Sequence, residues 1–101
     1  MASAREFFEG LEERIDPSKT AGMTNSYVFE IDGAGTWRVD VVDGKVSVAE
    51  GDGDADATIA ASEDAFEQIA SGELNATTAY MTGKLKVRGD MGAAMKLQKL
   101  F

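Results

Sequence analysis

The sequence contains no cysteine and no histidine. Without cysteine there is no disulfide framework, no thiolate metal site and no thiol nucleophile. Without histidine the commonest general base and zinc ligand is gone, and a Ser-His-Asp triad cannot form. Long apolar runs are missing too: no segment approaches the roughly 20 residues needed to span a bilayer. The first residues, MASAREFFEGLEERI, lack the basic start and continuous apolar stretch of a signal peptide, so a soluble, cytoplasmic protein is expected. Basic residues are few, 10 against 18 acids, for a net charge of −8 that disfavours nucleic-acid binding.

What is present suits one domain. The chain has 101 residues, 44% of them apolar, enough for one core over residues 1–101. Its charge is segregated. Residues 1–83 carry a net −12, whereas residues 84–101 carry +4, with Lys84, Lys86, Arg88, Lys96 and Lys99 against Asp90 alone. Lys84, Lys86 and Arg88 alternate along KLKVR, so as a strand they share one face. That face is either solvated or a contact for an anionic membrane or a lipid head group.

The stretch DGDADATIAASE (52–63) has the oxygen spacing of a calcium loop, with Asp52, Asp54, Asp56 and Glu63 at positions 1, 3, 5 and 12. Ala57 stands where such a loop needs glycine. The preceding VSVAE reads as a strand rather than an entering helix, and alternation continues through 55–61. No metal site is expected there, and no cofactor elsewhere. No P-loop or G-x-S-x-G elbow occurs, and no pair of carboxylates is singled out by spacing. The protein is not expected to be an enzyme.

Periodicity orders the elements. Ser3 and Glu6 form a capping box for a helix with Ala4, Phe8, Leu11 and Ile15 as its apolar stripe, ended by Asp16-Pro17. The period then falls to two. Tyr27, Phe29 and Ile31 form one strand; Trp37, Val39 and Val41 a second; Val46 and Val48 a third, after the hairpin signal Asp43-Gly44. Residues 55–61 make a fourth strand. Ser62 caps a helix carrying Phe66 and Ile69 that stops at Gly72, and Asn75 caps a shorter one ending at Gly83. KLKVR is the fifth strand. A final helix runs from Asp90 with Met91, Ala94, Met95, Leu97, Leu100 and Phe101 as its apolar positions.

Residues 79–97, AYMTGKLKVRGDMGAAMKL, resemble the signature of the sterol carrier protein type 2 (sterol-binding domain) family. GTWRVDVVDGKVSV and DADATIAASEDAFEQIASGELN resemble that family's hairpin and strand-helix segments. The resemblance implies an α+β fold: a five-stranded, largely antiparallel sheet covered by about four helices, with an apolar lipid tunnel between them. It also implies non-enzymatic binding or transfer of one long-chain lipid (fatty acid, fatty acyl-CoA, phospholipid or sterol-like). Carried over by position, the tunnel lining would be Trp37, Val39, Ile59, Phe66, Ile69, Tyr80, Met81, Met91 and Met95. The same residues at the same spacing would also make a plain core, and the alternative is a dimerisation module with a filled interior.

Where several relatives have Gln before Gly-Lys-Leu-Lys, this sequence has Thr82, which is shorter. It also stops at Lys-Leu-Phe rather than at a peroxisomal address. The covering tail of longer members is missing. The expectation is a more open cavity, or one completed by a second copy around Leu100 and Phe101.

Overall fold

The computed structural model describes residues 4–15 and 17–96. Ser3, Asp16, Leu97, Leu100 and Phe101, all named above, lie outside the described residues. Five strands form one sheet: β1 (Asn25–Asp32), β2 (Gly35–Val42), β3 (Lys45–Glu50), β4 (Ala57–Ser62) and β5 (Leu85–Gly89). Their order across the sheet is β3-β2-β1-β4-β5. All neighbours are antiparallel except β1 and β4, which run parallel with Phe29 opposite Ile59. The expected sheet is therefore present, with one parallel pair at its centre. The helices are α1 (Ala4–Arg14), α2 (Pro17–Thr20), α3 (Glu63–Ser71), α4 (Ala76–Met81) and α5 (Met91–Met95). The four-residue α2 is one more than the periodicity revealed, because a single turn is too short to show a period.

Local chemistry explains most boundaries. Ser62 Oγ accepts from Ala65 N at 3.2 Å, and Gly72 ends α3 in the left-handed conformation. Asn75 Oδ1 accepts from Thr77 N at 2.8 Å. Asp43 and Gly44 both take positive φ, 53° and 85°, as the tight hairpin between β2 and β3 requires.

Alternation then builds one apolar face. Tyr27, Phe29 and Ile31 of β1, Trp37, Val39 and Val41 of β2, and Ala57, Ile59 and Ala61 of β4 are all buried against the helices. The acidic stretch straightens into β4 at Ala57, and Glu63 is the first residue of α3. Asp56 is engaged with β1: its Oδ2 accepts from Ser26 N at 3.0 Å. Among the described residues no cluster of carboxylates is placed to hold a metal ion.

Candidate functional site

The nine nominated lining residues separate into two groups. Trp37, Val39, Ile59, Phe66 and Ile69 are buried in the central cluster. Trp37 and Phe66 belong to an aromatic stack under α1. Phe8 lies 4.8 Å from Trp37 and 5.2 Å from Phe66, nearly parallel to both, and Phe7 meets Phe66 edge-on at 5.2 Å. Such pairs add to simple area burial. The rings fill one another's contact surface, so this end of the interior is closed.

The other four are at the surface. Tyr80 and Met91 are 44% exposed, Met95 75% and Met81 78%. Sequence reading put Met91, Ala94 and Met95 on the apolar stripe of the final helix. The structure buries Ala93 instead, at 2% exposure, and likewise Ala79 rather than Tyr80 or Met81 in α4. The physical reason is close approach. Both helices are only five or six residues long and pack on β5 through alanine, which leaves the longer side chains to point outward.

Two hydrogen-bonded devices hold these helices, and they explain the signature residues. After α4, Gly83 takes φ +82°, Gly83 N donates to Tyr80 O, and Lys84 N donates to Ala79 O at 2.9 Å. This is the paired bonding of a left-handed helix stop. After β5, Gly89 takes φ +98°, and a Cβ there would stand 2.5 Å from Asp56 O. Only glycine allows that approach. It brings Asp90 N to Asp56 O at 2.7 Å, and Asp90 Oδ1 then accepts from Gly92 N at 2.8 Å to cap α5. The motif Gly-Lys-Leu-Lys-Val-Arg-Gly-Asp-Met thus ends one helix, adds an edge strand and starts the next. Thr82 turns its hydroxyl back onto Thr78 O at 2.9 Å.

Sequence reading missed the role of Tyr27. It is fully buried, and its hydroxyl donates to Ala93 O at 2.6 Å, tying β1 to α5 across 66 residues. Burial, with the carboxylates of Asp56 and Asp90 adding to it, pushes its pKa from 10.0 up to about 12. The phenol is therefore a donor at neutral pH, already committed to a carbonyl, and not a base. The available signal was a tyrosine among inward-facing apolar residues, since a buried phenol needs a partner.

The three expected cationic contacts are not equivalent. Lys86 and Arg88 face outward on β5, opposite Ala60 and Thr58, on the sheet face away from the helices. Arg88 Nη2 is paired with Glu30 at 3.0 Å. Lys84 precedes the strand rather than lying in it, as the KLKVR reading had it. Lys84 and Lys86 border an open groove of about 940 Å³ with Glu30, Asp32, Asp64 and the β1–β2 turn. A smaller one of about 200 Å³ lies between α1 and β3, over Phe8 and Trp37. Of the nine nominated residues, only Trp37 borders either groove. No described helix is long and apolar enough to cross a membrane.

Comparison with known proteins agrees with this architecture. The chain is 46% identical over 80 residues to sterol carrier protein 2 of Gallus gallus, covering 73% of this chain and 15% of that one. It is 33% identical over 100 residues to hydroxysteroid dehydrogenase-like protein 2 of Xenopus tropicalis, covering 95% of this chain. The chain spans about a quarter, 24%, of that relative's length. Palmitated SCP2L2 from Aedes aegypti superposes with a TM-score of 0.78 at 23% identity, covering 98% of this chain and 94% of that one. Residues 6–101 match the model of the SCP-2 sterol transfer family, and the chain belongs to that family.

Proposed function

We propose that this domain binds one long-chain lipid in an apolar tunnel between sheet and helices and passes it on without chemical change. The ligand class is a fatty acid, fatty acyl-CoA, phospholipid or sterol-like molecule. The observation that carries this reading is the exposure of Tyr80, Met81, Met91 and Met95 on two short helices that both pack on β5. Large apolar side chains grouped at a surface mark an interaction site rather than a packing requirement. Thioethers are flexible and polarizable, which suits the mouth of a site for irregular apolar chains.

The tunnel would open between α4 and α5 and run toward Ile59 and Ile69. The stack of Trp37 and Phe66, with Val39 beneath it, would close the far end. Family membership supports this reading, as does the palmitate carried by the related Aedes aegypti protein. Lys84, which precedes β5, would meet an anionic head group, whereas Lys86 lies on the sheet face away from the helices. Arg88 contributes less, because Glu30 already neutralises it. The domain is read as a carrier and not an enzyme, a reading that membership of a sterol transfer family supports.

Native mass spectrometry of the purified protein tests the reading. A copurified or added fatty acid should appear as a one-to-one complex, and a folded Met95→Asp variant should lose it. Met95 is exposed at the expected mouth, so a carboxylate there would have to be desolvated against an entering apolar chain. Unchanged binding in that variant, with circular dichroism showing an intact fold, would sink the tunnel assignment. The aromatic stack favours a second reading, a filled interior with the open end used for dimerisation. That version shows no lipid at any concentration and a mass that doubles as protein concentration rises.

A further inference from the structure

We propose that the free edge of β3 takes up an extended basic segment of another protein as an additional strand, with one of its cationic side chains seated in the notch between α1 and β3. The backbone supplies the first observation. β3 is one edge of the sheet and, among the described residues, pairs only with β2. Val42 and Lys45 flank the two-residue turn of Asp43 and Gly44, so they exchange hydrogen bonds, and the pattern alternates from there. Gly51 N donates to Thr36 O at 3.0 Å, which continues the same phase beyond the strand. Lys45, Ser47 and Ala49 therefore bond to β2, whereas Val46, Val48 and Glu50 turn their N–H and C=O groups away from it. Such a row is a template for another strand. No residue of β3 is fully buried.

The notch supplies the second observation. It measures about 200 Å³ and is lined by the buried Phe8 and Trp37, by Val48 and Ala49, and by the exposed carboxylates of Glu9, Glu12 and Glu50. That is below the roughly 300 Å³ of small-molecule sites and suits a single long side chain. The chain itself shows which group this surface accepts: the Arg5 guanidinium lies over the Trp37 ring, 5.8 Å from its centroid, and pairs with Glu50. Among the described residues Glu9 and Glu12 are in no ion pair, and they remain for an incoming cation.

Charge decides the occupant. β3 lies beside α1, which carries Glu6, Glu9, Glu12 and Glu13 against Arg5 and Arg14. Two copies joined through β3 would bring two such helices together, and like charges disfavour that. A segment with bases at alternate positions gains from the same surface. Every second side chain of an added strand falls on the helix side, toward Glu9 and Glu12, and the others lie beside the small Ser47 and Ala49. The opposite edge repels such a partner, because β5 carries Lys86 and Arg88 and follows Lys84. Docking at β3 is independent of whether the interior holds a lipid.

Fluorescence reads the notch directly, because Trp37 is the single tryptophan. The probe is an end-blocked peptide that alternates lysine and valine and matches the six residues of β3. At low salt it should bind saturably, change the Trp37 emission, and shift the backbone NMR signals of Val46, Val48 and Glu50 with little change at Val87. The same peptide with glutamate for lysine should not bind. Methylating one alternate set of its amide nitrogens should abolish binding and methylating the other set should spare it, since only one side of an added strand faces β3. Glu9→Gln combined with Glu12→Gln should weaken binding about three- to tenfold, as exposed ion pairs would. Asp32→Asn combined with Asp64→Asn, at the other groove, should leave it nearly unchanged. All four side chains are exposed, and circular dichroism accompanies each variant. Absence of binding, equal binding of the glutamate peptide, or equal behaviour of the two methylated isomers would overturn the proposal. So would undiminished binding in the glutamate variant, or an equal loss in the aspartate variant. Edge shifts that grow with protein concentration alone would give the edge to a second copy and also overturn it.

Discussion

The two ends of the apolar interior are finished differently. Under α1, five aromatic rings (Phe7, Phe8, Phe29, Trp37 and Phe66) pack against one another with centroids within about 6 Å, and each is at most 5% exposed. Under α4 and α5 the contacts to the sheet are made by Ala79 and Ala93, and the larger Tyr80, Met81, Met91 and Met95 face outward. Electrostatics follow the same division, with carboxylates dense on α1 and α3 and absent from α4 and α5. A rigid ring stack makes one well-defined core. Short helices seated on alanine, each held by a few specific hydrogen bonds, make an end that buries few large side chains.

The contrast breaks most sharply by truncation. Phe66→Ala should destabilise the domain by about 3–5 kcal/mol, the usual cost of emptying a packed aromatic site. Urea unfolding of this variant beside the wild type measures it. Alkaline unfolding probes the boundary between the two ends. Tyr27 has its pKa raised from 10.0 to about 12, so the stability this shift contributes is complete below pH 10 and is lost as pH rises through about 12. The loss should reach about 2–3 kcal/mol in the wild type relative to Tyr27→Phe, at about 1.4 kcal/mol per pH unit. Below pH 10 the same substitution should cost about 1 kcal/mol, the worth of one buried hydrogen bond.

Gly89→Ala tests the attachment of α5. Forcing a Cβ into left-handed backbone and toward Asp56 O should cost about 2 kcal/mol or more. Its effect on amide exchange should concentrate in residues 90–96. The smallest effect belongs to the open end. Met95→Ala should change stability by less than about 0.5 kcal/mol, as at other exposed positions. A cost matching that of Phe66→Ala would mean that both ends are equally packed.

Legibility in the sequence divides in nearly the same way. The sheet, its hairpin and the caps at Ser62, Asn75 and Asp90 could be read because alternation and capping are local. The aromatic end was also legible, since Phe8, Trp37 and Phe66 fall on inward phases of their elements. The open end was not. In a helix of five residues, Met91, Ala93, Ala94 and Met95 span little more than one turn, so periodicity cannot separate the buried alanine from the exposed methionines. Which residue packs was decided by Gly89 and by the Tyr27 hydroxyl, 66 residues away from Ala93. The signature segment marked the family, but not that its glycines serve to seat two helices.

The methionines offer the most direct measurement, because they report the α4–α5 end and a buried position beside the β2–β3 hairpin. Of the five in the chain, Met81, Met91 and Met95 lie at the open end, while Met23 is 4% exposed next to the β2–β3 hairpin. Methyl-labelled methionine should be followed by NMR while palmitate is added to the lipid-free protein. Uptake through the open end predicts saturable shifts at Met81, Met91 and Met95, complete at one equivalent, with Met23 nearly unmoved. Spectra unchanged at every methionine, or shifts at Met23 as large as those at Met81 and Met95, would contradict it.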